Sequence, residues 1–273
     1  MRAGAFSFRK RVAALVSEGT DALVSVFLPA GCRLCEQLLV HARRLPICQE
    51  CLDSFERIGG NICECCGLPL ESWAWTGEAG GEPGEITSLC GACRLGTFRF
   101  ARARSVFRYE DVVVRAVVML KFEDMEPLAE WFAERLAETV RQTGLAEADL
   151  VVPVPLHKLR QRERGFNQAE LLSRRLARRL KMKHQGVLLV RKRPRPDKHL
   201  LIERERWETV RGAFATQAGS LIDKKRVLLV DDVMTTGATL DACAKALRDA
   251  GAAEVGCVTV ARAVMRNPRK ADK

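Results

Sequence analysis

The run Val227-Leu228-Leu229-Val230-Asp231-Asp232-Val233-Met234-Thr235-Thr236-Gly237-Ala238-Thr239 joins three kinds of residue in an order with chemical meaning. An apolar stretch, read as a buried strand, ends in two adjacent acids. Small hydroxyl residues and a glycine follow as a tight loop, and a helix is expected to begin at once. The amides of such a loop and the N-terminus of the helix converge on an anion, so a phosphate can sit there without a lysine. Thr235, Thr236 and Thr239 add hydroxyl donors, and Gly237 permits close backbone approach. Asp231 and Asp232, held beside that phosphate, suit the two hydroxyls of a ribose. The competing account is a plain strand–turn–helix with a buried aspartate, but two adjacent acids are costly to bury unpaired.

A second chemistry lies in the cysteines. Eight of the eleven fall in four pairs, Cys32/Cys35, Cys48/Cys51, Cys63/Cys66 and Cys90/Cys93, each with two residues between the thiols. One such turn presents two thiolates to one ion, and two turns complete the closed tetrahedron of a structural zinc. Eight ligands make two zinc sites. Sequential pairing joins the first two pairs and the last two; interleaved pairing satisfies the same spacing. Disulfides suit a secreted protein rather than a reducing cytosol. An iron–sulfur cluster takes the same ligands, and the repeated spacing favours zinc. Cys65 is a spare between two ligands, while Cys243 and Cys257 sit in apolar patterns and read as small core residues.

The scaffold for these groups is legible from about residue 100 onward. Pro127 opens an amphipathic helix striped by Leu128, Phe132, Leu136 and Val140, and Gly144 closes it. Leu150-Val151-Val152 is a short buried strand stopped by Pro153 and Pro155. Asn167 and Glu170 form a capping box for a helix striped by Ala169, Leu172, Leu176 and Leu180. Arg226 to Val230 and Val255 to Val260 are continuous apolar strands, and Leu240 to Ala250 is a helix capped by Gly251. Strand, helix, strand at this spacing implies a doubly wound parallel sheet, with helices on both faces and ligands at the carboxyl ends of the strands. The earlier part is cysteine- and glycine-rich, and Gly77 to Gly84 reads as an exposed loop.

At 273 residues the chain accommodates one domain and a small appendage, and 47% hydrophobic residues suffice for a core. No stretch approaches the ~20 apolar residues of a membrane span. The apolar N-terminal run is cut by Glu18 and Asp21, too weak for a signal peptide, so the expected location is the cytoplasm. The net charge of +11 is local: residues 156–214 carry 18 Lys and Arg against 6 Asp and Glu, while residues 1–100 are near neutral. Such a patch attracts phosphates, of a nucleotide or of a nucleic-acid backbone, or is a solvated face.

The run from Val227 to Thr239 closely resembles the signature by which type I phosphoribosyltransferases bind phosphoribosyl pyrophosphate (PRPP). The stretch Val152 to Ala169, with Val152-Pro153-Val154-Pro155 and Arg164-Gly165-Phe166-Asn167-Gln168, resembles a signature of the ComF family. Phe27-Leu28-Pro29, Cys66-Gly67-Leu68-Pro69, Lys121-Phe122 and Gly212-Ala213-Phe214 are similar to the same family, in the same order. The resemblance implies an N-terminal helical segment (residues 1–29), a double zinc ribbon (30–97), a phosphoribosyltransferase domain (98–265) and a tail (266–273). It implies that Thr235 to Thr239 hold the 5'-phosphate and that Asp231 and Asp232 hold the ribose. Pro155, Leu156 and His157 would form the pyrophosphate loop. Lys158, Arg160, Arg162 and Arg164 would be a cationic lid, or merely surface charge. The catalytic set would be Asp231, Asp232, Arg160, Arg162 and Arg164, with Mg²⁺ held mainly by substrate oxygens.

Departures accompany the resemblance. The family's usual Thr, Gln and Asn align with Arg195, Lys198 and Thr209, while Arg206 is kept. Trp73 and Trp75 lie in an enlarged second zinc loop, where they stack on bases or pack locally. Thr235 replaces the acid of 6-oxopurine phosphoribosyltransferases, which speaks against hypoxanthine or guanine as acceptor. The resemblance points to competence and DNA uptake. It leaves open an enzyme with an unknown acceptor, a PRPP- and single-stranded-DNA-binding module that partners a DNA-uptake helicase, and a zinc protein with a dead site.

Overall fold

The structure is a computed structural model that describes residues 31–39, 44–70, 88–122, 125–194, 203–217 and 222–264. The expected segments 1–29 and 266–273, the Gly77–Gly84 loop, Trp73, Trp75, Arg195 and Lys198 lie outside the described residues. The chain divides into two compact units, residues 1–55 and 56–273. The first cysteine group therefore falls in the first unit and the second in the unit that carries the sheet.

Five parallel strands form that sheet in the order β1-β7-β6-β2-β3: β1 (Arg102–Arg108), β2 (Leu150–Pro153), β3 (Lys183–His184), β6 (Arg226–Met234) and β7 (Glu254–Arg262). Two short strands, β4 (Leu189–Arg191) and β5 (Phe214–Thr216), pair antiparallel beside it. Among the described residues, the helices of seven residues or more are α1 (Asp111–Phe122), α2 (Glu126–Gln142), α3 (Lys158–Arg164), α4 (Gln168–Leu180), α5 (Glu203–Val210) and α6 (Ala238–Asp249). Both faces of the central strands are covered, which is why their apolar runs are continuous. Val227, Leu229, Val255 and Cys257 pack with Leu240, Cys243, Ala244 and Leu247 of α6. Leu228, Val230, Val258 and Val260 are fully buried toward the other side, where α2 and α4 supply Leu128, Phe132, Leu136, Leu172 and Leu176.

Local signals explain the element ends. Pro127 stands in the first turn of α2, and Gly144 follows it at φ 73°. The Asn167 side chain caps α4, its Oδ1 accepting from the Ala169 N–H at 3.1 Å. The reciprocal half of the expected box is replaced, because Glu170 reaches Arg174 at 3.0 Å and His184 at 3.7 Å instead. The segment after His157 is a helix rather than an open loop: His157 Nδ1 caps it, and Gly165 at φ 80° ends it.

Candidate functional site

At the carboxyl ends of β2 and β6 a cavity of about 300 Å³ opens. Its walls include Pro155, Leu156 and His157 from the turn after β2, Arg160 and Arg164 from α3, and Asp231, Asp232, Thr235 and Thr239 from the end of β6 and its loop. Nine residues expected from sequence thus meet in one place. Arg162 does not: Arg160 and Arg164 are one helical turn apart on the cavity face, whereas Arg162 is exposed on the opposite one. Thr236, Gly237 and Ala238 are not in the cavity wall. They shape the loop, the Ala238 N–H pointing at Thr236 Oγ1 at 3.4 Å and Gly237 holding φ 83° at the start of α6.

The two acids have different surroundings. Successive strand residues point to opposite faces. Asp232 is buried, with Lys121 Nζ at 3.0 Å and Gln168 Nε2 at 3.2 Å from the same carboxylate oxygen. Asp231 is half-buried, and its Oδ1 accepts the Asp232 backbone N–H at 2.8 Å. Gln168 is 4% exposed and its Oε1 is buried without a hydrogen bond to the described residues. Burial in the cleft lowers the Arg164 guanidinium from its ordinary value, and the Asp232 charge acts against that. Arg164 also lies over the Phe122 ring, 4.9 Å from its centroid.

Lys121, Gln168, Tyr109, Asn167 and Arg191 also line the cavity, and none of them stands out in the sequence as a site residue. Lys121 and Gln168 do stand in stretches that carry the family resemblance, but their convergence on Asp232 is tertiary.

The cysteines form two groups in chain order, Cys32/Cys35/Cys48/Cys51 and Cys63/Cys66/Cys90/Cys93, each with its sulfurs within 4.8 Å of one another. The pairing is sequential, not interleaved. Cys32 and Cys51 Sγ are 3.9 Å apart, Cys35 and Cys48 3.6 Å, and Cys66 and Cys90 3.6 Å. Four thiolates about 2.3 Å from one zinc have edges of about 3.8 Å, so the donor set fits that ion. Backbone N–H groups point at the sulfurs, Cys48 at Cys32 and Cys90 at Cys63, each at 3.3 Å. Burial pushes the Cys32 thiol up, but backbone N–H groups of Cys48, Cys35 and Leu34 outweigh it and bring it down to about 6. Such closed sets of four sulfurs are structural.

A parallel α/β sheet with a phosphate-type loop and an acid pair at its carboxyl edge, preceded by four-cysteine modules, defines a phosphoribosyltransferase-type domain joined to a double zinc ribbon. Comparison with known proteins agrees. Residues 166–273 match the phosphoribosyl transferase domain family, and residues 23–94 match the double zinc ribbon domain family. Competence protein F of Haemophilus influenzae is 29% identical over 223 residues, 79% of this chain and 96% of that protein. Competence protein ComFC of Bacillus subtilis is 28% identical over 79% of this chain and 84% of its own length. DNA utilization protein YhgH of Salmonella typhi is 31% identical over 84% of this chain and 95% of its own. Solved structures that resemble the chain include an orotate phosphoribosyltransferase from Aeropyrum pernix, 22% identical, covering 53% of this chain and 63% of that one with a TM-score of 0.31. The chain belongs to the ComF family of double-zinc-ribbon phosphoribosyltransferase-type proteins.

Proposed function

We propose that the cavity binds PRPP with Mg²⁺, and that the protein serves DNA uptake or utilization as a PRPP-dependent phosphoribosyltransferase-type protein. The observation that carries this reading is the convergence of Thr235 and Thr239, Asp231 and Asp232, and Arg160 and Arg164 in one cavity. In the assigned roles, the loop Thr235 to Thr239 takes the 5'-phosphate and Asp231 with Asp232 faces the ribose. The turn Pro155-Leu156-His157, with Arg160 and Arg164, holds the pyrophosphate. Arg162 is surface charge and leaves the catalytic set. Mg²⁺ would be held mainly by the ligand's own oxygens and would supply charge neutralisation to the leaving pyrophosphate. The reaction class is displacement at the anomeric carbon. The C1–O bond breaks, its electron pair leaves with pyrophosphate, and an acceptor nitrogen forms the new bond. Preorganised cations over the leaving group are the chain's own contribution. Two bound zinc ions support the cysteine groups.

Calorimetry with PRPP·Mg²⁺, ribose 5-phosphate and inorganic pyrophosphate tests the assignment, with PRPP expected to bind more tightly than either fragment. Equal affinity for pyrophosphate alone would remove the sugar and 5'-phosphate from the cavity. Release of pyrophosphate on adding candidate acceptors, DNA included, separates an enzyme from a binding module.

Two features support action on DNA: the relatives' names, and the basic stretch between residues 156 and 214. A DNA-uptake helicase is the partner class we assign. Cytoplasmic location fits thiol-rich groups that a reducing compartment preserves, and no helix among the described residues is long and apolar enough to cross a membrane.

A further inference from the structure

The second cysteine group and the loop after β6 share their supporting side chains. Arg262, the last residue of β7, is 5% exposed. Its Nη1 donates to the Cys66 carbonyl at 2.8 Å and lies 2.8 Å from Met234 Sδ; its Nη2 approaches Cys66 Sγ at 3.6 Å. Met234 is the last residue of β6, immediately before Thr235. A Cβ on Gly237 would stand 2.8 Å from the Met234 methyl and 2.7 Å from the Phe98 ring, so these two side chains close directly on the loop's glycine. Phe98 and Arg99 follow the ligand Cys93 in the chain. Phe98 stacks on Phe100 with centroids 4.6 Å apart, and the Arg99 N–H donates to Asp241 Oδ1 in the first turn of α6 at 2.5 Å. The loop is therefore held from two sides. Met234 is anchored through Arg262 to Cys66, and Phe98 belongs to the segment that leaves Cys93.

A metal at the four sulfurs fixes the position of Cys66 Sγ, and with it one anchor of a buried guanidinium that has few alternatives. We propose that this second metal centre and the anion-binding loop are one thermodynamic unit, with Arg262 the positioning residue that joins them. Metal at Cys63, Cys66, Cys90 and Cys93 tightens ligand binding in the cavity. By reciprocity, ligand in the cavity raises the metal affinity of that centre, whereas the group Cys32/Cys35/Cys48/Cys51, in the other compact unit, is indifferent. The link rests on the reading that the loop holds the 5'-phosphate of PRPP.

The test brings the full chain, loaded with zinc, to equilibrium with a competing colorimetric zinc chelator, with and without saturating PRPP·Mg²⁺. Two transitions are expected. PRPP should raise the zinc affinity of one of them, by about fivefold or more, and leave the other unchanged. Cys32→Ser should remove the unaffected transition. Arg262→Met should keep its zinc, lose the PRPP-dependent shift, and bind PRPP roughly tenfold more weakly; Arg262→Lys should recover part of both. PRPP binding that leaves both transitions unchanged overturns the link while sparing the reading of the cavity. So does an Arg262→Met protein that binds PRPP as the wild type does. Absence of PRPP binding to the wild type overturns both. Should Arg262→Met fail to fold, the wild-type titration decides alone.

Discussion

Asp232 has a cation and an amide on one carboxylate oxygen, Lys121 at 3.0 Å and Gln168 at 3.2 Å, and both side chains of the ion pair are about nine-tenths buried. Removing the cation of such a pair leaves the buried carboxylate with weaker compensation and costs up to about 3–5 kcal/mol. Lys121→Met should therefore lower stability by roughly that amount, read as a shift of the urea midpoint. A midpoint within ~0.5 kcal/mol of wild type would mean that Asp232 is solvated, not paired. Asp231 is more open, so Asp231→Asn should leave the midpoint alone and weaken PRPP binding at least about tenfold, the value of one hydrogen bond to a charged group. Unchanged PRPP affinity would take the ribose away from Asp231. Gly237 holds φ 83°, where a side chain costs about 1–2 kcal/mol. Its missing Cβ leaves room for Phe98 and Met234. Gly237→Ala should cost about 2 kcal/mol or more and loosen the loop, seen as weaker PRPP binding beyond the stability loss.

Among the elements, α4 shows how a charge-rich helix can mislead. Its arginines belong to the basic stretch that the sequence offers as a phosphate-attracting patch or a solvated face, yet they are engaged with neighbouring acids. Arg179 meets Glu130 at 2.6 Å, Arg175 meets Glu126 and Glu130 at 3.3 Å each, and Arg174 meets Glu170 at 3.0 Å. Arg179→Glu would set a third acid beside Glu126 and Glu130 on α2. It should destabilise the protein by about 1 kcal/mol or somewhat more for this half-exposed network, whereas Arg162→Glu, on the outer face of α3, should not move the urea midpoint. The reverse result would relocate the network. Sequence made α2, α4, α6, β2, β6 and β7 legible, because each carries an apolar stripe or run with a cap or breaker at its end. It did not reveal α1, whose Val112-Val113-Val114 is β-branched and is overridden by packing of Ala116, Val117 and Leu120. Nor did it reveal α3, since Lys158-Leu159-Arg160-Gln161-Arg162-Glu163-Arg164 has no apolar period, or β3, β4 and β5, which are two or three residues long. In the site, the acids and the threonine loop were legible because one local run holds them. Lys121 and Gln168 reach Asp232 only after α1 and α4 have packed.

At the scale of the whole molecule, the positive charge must be assigned to something. The net charge is +11, and the stretch 156–214 holds 18 Lys and Arg against 6 Asp and Glu. Part of it lines the cavity as Arg160, Arg164 and Arg191, and part is consumed by the acids of α2. Arg162, Lys192 and Arg193 are exposed, and in the chain they stand next to cavity residues. A single nucleic-acid strand that bound these residues would contact the chain segments that also contribute to the cavity wall, α3 and the residues after β4. Contacts of this kind are electrostatic and indifferent to sequence, and each phosphate neutralised contributes about 0.7 to the slope of log affinity against log salt for single strands. Fluorescence anisotropy with a labelled oligonucleotide at several salt concentrations should thus show single-stranded DNA binding that weakens steeply with salt. The triple variant Arg162→Glu, Lys192→Glu, Arg193→Glu should reduce the slope by about 2 if all three touch phosphates, with the urea midpoint and PRPP affinity unchanged. Absence of binding to wild type at low salt would leave the cavity a small-molecule site alone. Binding that the triple variant retains in full would move the strand away from these segments, most simply to the cysteine modules.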